Sequence, residues 1–181
     1  MSSVDGYCFQ ESDDLKMLRD SGRAFAENEI RPQAHELDEK EQFSVSLTKK
    51  MGELGLLGAV VDPKYGGHGM DYLSYCIAVE EIAKIDGSHA ATVAAHNSLG
   101  CGPLYYYGTE EQKKKYLPNL CDGTGLWAFG LTEPEAGSDA QASKTSAKFD
   151  SAKNEWVING SKIWITNSAN SLTKGITVQA V

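Results

Sequence analysis

The sequence predicts an α+β fold: an N-terminal all-α helical domain, residues 1–124, followed by an incomplete, mostly antiparallel β-barrel-like domain, residues 125–181. Three observations predict it. Up to about residue 122, apolar residues recur at helical spacing between recognisable caps. After Asp122-Gly123 the pattern changes to short runs rich in aromatic and β-branched residues, as in strands. Those runs are too few to close a barrel.

The helices follow in order from their punctuation. Ser12, with Asp13 and Asp14 behind it, caps a first helix whose apolar face is Leu15, Leu18, Phe25, Ala26 and Ile30, and Pro32 is expected to end or bend it. Ser44 opens a second helix carrying Leu47, Met51 and Leu54, closed by Gly55 and a short extended LLGAVVD. Asp71 caps a third, which runs through Ile77 and Ile82 to Gly87. Residues 88–107 are alanine-rich and lack charge on any face, so this segment is expected to be the buried central helix. Thr109 and Gln112 form a capping box, and Glu110 and Glu111 precede Lys113, Lys114 and Lys115 in the sense the helix dipole favours. That lysine run reads as a solvated helix face. In the β part, LWAFGLT and TSAKFD are strands, and WVI-NG-SKIWIT reads as a hairpin turning at Asn159-Gly160. This places residues 162–167 on a strand.

Composition narrows the function classes. The 181 residues are 41% hydrophobic and 23% charged, which is ordinary globular usage, and the net charge of −8 supplies no basic surface to neutralise a nucleic acid backbone. No 18-residue apolar run is present, and the opening MSSVDGYCFQESDD is unlike a signal or transit peptide, so no membrane association is expected. A bacterial cytoplasmic location, or the mitochondrial matrix for a mature organellar form, fits best. Cys8, Cys76, Cys101 and Cys121 form no C-x-x-C pair and read as reduced, mostly buried thiols. His35, His68, His89 and His96 lack metal-binding spacing, and no metal is expected.

Three glycine-rich places could cradle a phosphate. GTGLWA, residues 123–128, lacks the strand-then-helix setting of a dinucleotide fingerprint, and YGGHG, residues 65–69, reads as a turn-rich loop. LTEPEAGSD, residues 131–139, runs straight off a strand; Pro134 and Gly137 stop that strand, and Thr132 and Ser138 offer hydroxyls. Alone it is equally a decorated turn or an anion-binding nest. Its companion is KIWITN, where Trp164 and Thr166 stand two apart and would share one face of a strand. A flat apolar surface beside a hydroxyl suits a planar heteroaromatic ring, although a core tryptophan and a β-forming threonine is the plainer reading of that pair by itself.

Together, FGLTEPEAGSDA and NGSKIWITN resemble the two signature segments of the middle domain of the acyl-CoA dehydrogenase family. PKYGGHGMDYLSYCIAVEEIAK, HNSLG and YGTEEQKKKYLP resemble its helical segments in register, and the likeness covers residues 10–167. The resemblance implies FAD as cofactor, with Leu131 and Thr132 at the flavin's pyrimidine edge and Gly137 and Ser138 at the pyrophosphate. Trp164 is implied beside the isoalloxazine, Thr166 near its N5, and Phe129 among the aromatic lining. Ser138, Ala91 and Ala95 are implied on the substrate side, the two alanines leaving room for an acyl chain, although close helix packing is their plainer reading. The implied reaction is α,β-dehydrogenation of an acyl-CoA thioester, in a homotetramer that passes electrons to electron-transfer flavoprotein. The family's catalytic glutamate belongs to a C-terminal helical bundle that would begin after residue 181, and neither Glu133 nor Glu135 is that base, so no catalytic residue is expected in this chain. One departure stands out: SANSLT joins Asn167 directly to Lys174, where the family pattern has a further strand. Two other readings are an inactive fragment acting as a binding or interaction module, and an acyl-CoA oxidase that uses oxygen.

Overall fold

In the computed structural model, which describes residues 11–181, the expected caps are the caps used. Ser12 Oγ accepts the Leu15 N–H (3.3 Å), Ser44 Oγ accepts the Leu47 N–H (3.2 Å) and Asp71 Oδ1 accepts the Ser74 N–H (2.6 Å). They open α1 (Asp13–Phe25), α3 (Val45–Glu53) and α4 (Tyr72–Ala83). Both bonds of the Thr109–Gln112 box start α7 (Glu110–Cys121).

Pro32 does not end the first helix. α1 runs through a π-helical turn (Ala26–Ile30) into α2 (Arg31–Glu39), with Pro32 in the first turn of α2. A proline lacks an N–H, and the widened turn shifts the hydrogen-bond ladder at the point where that donor is missing. The central helix has the same construction: α5 (Gly87–Ala95), a π-helical turn (His96–Cys101) and α6 (Gly102–Tyr107), which carries Pro103 in its first turn. It starts one residue before Ser88, because Asp86 is the cap and accepts the Ser88 N–H at 2.9 Å.

Three buried polar side chains lock the helices together. Asn97, in the central π turn, accepts the Ala59 N–H (2.7 Å) and donates to the Leu56 (2.8 Å) and Val93 (2.9 Å) carbonyls. It thereby pins residues 56–61, which are bends and turns rather than the expected extended run. Burial alone would raise the Glu81 carboxyl, yet Arg23 (3.0 Å), Lys84 (2.7 Å) and Arg19 hold it down at about 2, joining α1 to α4. His96 donates from Nε2 to the Leu120 carbonyl (2.8 Å) and accepts the Trp127 N–H at Nδ1 (3.3 Å). Burial pushes the His96 pKa down to about 4, so a neutral imidazole joins the central helix to α7 and to the first strand.

That strand, β1 (Leu126–Gly130), crosses directly over Gly100, where a Cβ would lie 2.5 Å from the Trp127 carbonyl oxygen. It pairs in parallel with β4 (Thr173–Val178), while β2 (Ser146–Asp150) pairs antiparallel with β3 (Glu155–Asn159), and no barrel closes among the described residues. Leu126 and Leu172 are buried in the same core as Ile30, Met51 and Ile82, so the β part packs onto helices. Cys101 and Cys121 are buried and Cys76 is exposed; Cys8 lies outside the described residues. Among the described residues no helix is long and apolar enough to cross a membrane.

The hairpin differs from expectation. It turns at residues 151–154, with Asn154 at φ 54°, because Asp150 Oδ1 accepts the Ala152 (3.0 Å) and Lys153 (3.3 Å) N–H groups and builds the turn itself. Gly160 serves close approach instead, since a Cβ there would lie 2.3 Å from Thr145 Oγ1. Residues 162–167 are consequently a loop and not a strand, with Trp164 (φ 58°) and Asn167 (φ 65°) both left-handed.

Because the folded His96 pKa lies below its ordinary value near 6.5, its contribution is complete above that value and is lost as pH falls toward 4. Urea unfolding should show roughly 2 kcal/mol lost between pH 7 and pH 5 from this group. His96→Gln should flatten that part of the profile; an unchanged slope would contradict the assignment.

Candidate functional site

β1 delivers the chain to Leu131 and Thr132, after which a tight turn forms around Pro134 and Glu135. The Glu133 N–H donates to the Ala136 carbonyl (2.7 Å) and the Ala136 N–H returns to the Glu133 carbonyl (3.3 Å). Proline suits the second position of such a turn because its φ is already set. The turn directs the Glu133 side chain inward, where the residue is only 5% exposed. Its carboxylate accepts the Lys144 N–H (2.7 Å), the Thr145 N–H (3.0 Å) and the Lys162 ammonium (2.8 Å). Lys162 also donates to the Leu131 carbonyl (2.8 Å), and the Ile163 N–H donates to the Thr132 carbonyl (2.9 Å). The Lys162 ammonium, reinforced by the backbone donors, holds the Glu133 carboxyl down at about 2. One buried carboxylate therefore ties the turn after β1, the start of β2 and the 162–167 loop into a single unit.

These ties create a cavity of about 200 Å³ lined by Ala95 and Leu99 of the central helix, by β1 and the residues after it, and by Trp164, Ile165 and Thr166. Phe129, Leu131, Thr132, Trp164, Thr166 and Ala95 all line it, although they come from three separate stretches of sequence. Trp164 and Thr166 meet there as loop residues, not as neighbours on a strand face, and Trp164 is 87% exposed with its ring available. Gly137 and Ser138 are exposed on the turn and do not line the cavity, although Gly137 lies against the Thr132 methyl group. Ala91 is exposed outside the cavity. Ala91 and Ala95 therefore play unlike parts, and Leu99, one turn beyond Ala95, takes the expected place of Ala91 on the wall.

Sequence reasoning missed Leu99, Trp127, Ala128 and Ile165 in the lining, and Glu133 and Lys162 beneath it. Helical spacing from Ala95 could have found Leu99. Nothing in the local sequence signals the Glu133–Lys162 pair, whose members are far apart along the chain.

The cavity offers apolar walls, an exposed indole and two threonine hydroxyls, a set that suits one edge of a planar heteroaromatic ring. Among the described residues no carboxylate lines it. Its volume is below the ~300–1,000 Å³ usual for a complete ligand pocket. A larger cavity, about 510 Å³, opens beside α2 and the start of α5, but its walls include Asp38, Glu41 and Asp86 and none of the ring-binding candidates. Among the described residues no three His, Cys, Asp or Glu side chains gather as metal ligands.

Residues 12–124 match the family model described as acyl-CoA dehydrogenase, N-terminal domain, and residues 128–180 match acyl-CoA dehydrogenase, middle domain. The chain is 47% identical over 169 residues to a Bacillus subtilis protein named probable acyl-CoA dehydrogenase YngJ, covering 93% of this chain and 44% of that protein. It is 46% identical to the short-chain-specific acyl-CoA dehydrogenase of Clostridium acetobutylicum, covering 88% of this chain and 41% of the other. Among solved structures, a Bacillus anthracis acyl-CoA dehydrogenase complexed with FAD superposes with a TM-score of 0.83 at 41% identity, over 94% of this chain and 30% of that one. The chain thus spans less than half the length of these relatives.

The depressed Glu133 pKa means that its contribution is present above the ordinary carboxylate value near ~4.3 and is lost as pH falls toward 2. Amide exchange at Lys144 and Thr145 should therefore stay slow, after correction for intrinsic rates, down to about pH 4 and lose protection below it. Glu133→Gln should already lack that protection at pH 7. Equal protection in the variant and the wild type would contradict the hub.

Proposed function

The chain belongs to the acyl-CoA dehydrogenase family, and on that premise we propose that it supplies one edge of the FAD site and one wall of the acyl pocket for α,β-dehydrogenation of an acyl-CoA thioester. The observation that carries this reading is the convergence of Phe129, Leu131, Thr132, Trp164 and Thr166 with Ala95 in one cavity. When bound, FAD supplies the hydride acceptor for this chemistry. The chain's own residues do the positioning. The Thr132 and Thr166 hydroxyls offer hydrogen bonds to polar atoms at the ring's edge, while Trp164 and Phe129 cover its apolar surface. Ala95 and Leu99 face the same space from the central helix and set how much room an acyl chain has beside the ring. Exposed Gly137 and Ser138, on the adjoining turn, are free to meet the phosphate-bearing part of FAD or of coenzyme A.

The proposal extends to the division of labour between the segments. Residues 1–124 act as the helical unit and 125–181 as the flavin-edge unit, a reading supported by the separate matches to the N-terminal and middle domain models. Electrons pass to electron-transfer flavoprotein from a homotetramer, in the bacterial cytoplasm or the mitochondrial matrix. The absence of a carboxylate among the described lining residues favours a second reading for these 181 residues by themselves, a flavin-binding module without turnover.

A fluorescence titration separates these readings from no binding at all. FAD should quench the tryptophan emission of the 181-residue chain saturably, with a dissociation constant of roughly 10–500 μM. Trp164→Phe should remove most of the quench, and Thr166→Val should weaken binding several-fold while leaving the far-UV spectrum unchanged. Adding an acyl-CoA should not bleach the flavin if the chain alone only binds. No saturable quench up to ~1 mM FAD would contradict the proposed site.

A further inference from the structure

We infer that Asn167 is a positioning residue for the flavin edge: its side-chain amide, tied to the Thr92 carbonyl, fixes the loop that carries Trp164 and Thr166 against the helix that carries Ala95. The inference rests on the reading of this cavity as a flavin site and adds a residue that does not itself line it.

Trp164, Ile165 and Thr166 belong to a loop with no sheet partner and do not directly follow a strand as Leu131 and Thr132 do, so their placement depends on what holds the loop at its two ends. At the first end stand the Lys162 ammonium on the Leu131 carbonyl and the Ile163 N–H on the Thr132 carbonyl (2.9 Å). At the second end stands Asn167, buried to 7% exposure, whose Nδ2 donates to the Thr92 carbonyl at 3.0 Å. Thr92 lies one helical turn before Ala95, so the tie grips the helix beside the stretch that lines the cavity.

The backbone around Asn167 carries the same load. Its φ of 65° is left-handed, a conformation that Asn tolerates better than most residues, and its carbonyl accepts the Thr173 hydroxyl at 2.9 Å. Asn170 Oδ1 then accepts the Leu172 N–H (2.9 Å), Leu172 is buried in the helical core, and its carbonyl accepts the Leu126 N–H (2.8 Å). The short SANSLT connection thus carries a series of bonds from Asn167 to the first residue of β1. Within it, Asn167 is the member that reaches the central helix. A residue present only to adopt a left-handed φ needs no donor aimed 75 positions away.

Two substitutions separate positioning from turn formation. Asn167→Asp keeps shape and left-handed tolerance but loses the N–H donors, and Asn167→Gly keeps the backbone conformation but loses the side chain. In the 181-residue chain, both should bind FAD about 10-fold more weakly by tryptophan quenching, equivalent to about 1.4 kcal/mol. Amide exchange at Ile163 should accelerate while the far-UV spectrum and exchange in α4 and α5 stay as in the wild type. At saturating FAD the visible flavin band of the Gly variant should shift toward that of free FAD. Should the Asp variant fail to fold, the Gly variant carries the comparison. Wild-type affinity together with wild-type exchange at Ile163 would overturn the inference, as would acceleration spread evenly through α5 and β4. If the wild type itself bound no FAD, the flavin reading would fall, and the exchange contrast at Ile163 would still decide whether Asn167 holds the loop.

Discussion

A carboxylate removed from water needs several donors to remain charged, and Glu133 finds them in three places at once: the Lys162 ammonium and the backbone N–H groups of Lys144 and Thr145. The geometry of the candidate site depends on this. Residues 131–132 lie ahead of Glu133, residues 164–166 lie just after Lys162, and no sheet connects the two stretches. Without the pair, the two halves of the proposed ring-binding edge would share only the single backbone bond from Ile163 to Thr132. Such a pair is costly to break from either side, because removing one partner leaves the other charge buried.

The helical half supplies a fixed floor by a related device. Asn97 and His96 both lie in the central π turn, where the widened helix directs polar side chains at backbone groups of its neighbours. His96 holds the Trp127 N–H, and Gly100 lets β1 pass at backbone contact distance. Ala95 and Leu99 therefore meet β1 at a set separation, which makes the cavity a joint product of helix and strand. Both π turns among the described residues stand shortly before a proline, Pro32 or Pro103, so the two features recur together.

Local chemistry made much of this legible in the sequence. Ser12, Ser44, Asp71 and the Thr109–Gln112 box announce helix starts through bonds that span only three residues. The signature segments likewise contain Phe129, Leu131, Thr132, Trp164 and Thr166, which converge on the cavity. The misplacements arose where a distant contact decided. Asn159-Gly160 carries a strong turn signal, but Asp150 builds the turn earlier and Gly160 is needed against Thr145. The 162–167 segment has strand composition, yet β4 takes the place beside β1 and the segment stays a loop. Ala91 and Ala95 are four apart and still diverge, since only Ala95 lies opposite β1. The partnership of Glu133 with Lys162 has no local signal at all.

A double-mutant cycle with Glu133→Gln and Lys162→Met, read out as FAD affinity of the chain, tests most directly whether this buried pair organises the site. The account predicts strong non-additivity: each single substitution should weaken binding by at least as much as the double one, since the first leaves its partner's charge buried and the second adds little further loss. Additive effects, with each substitution weakening binding independently of the other, would contradict it.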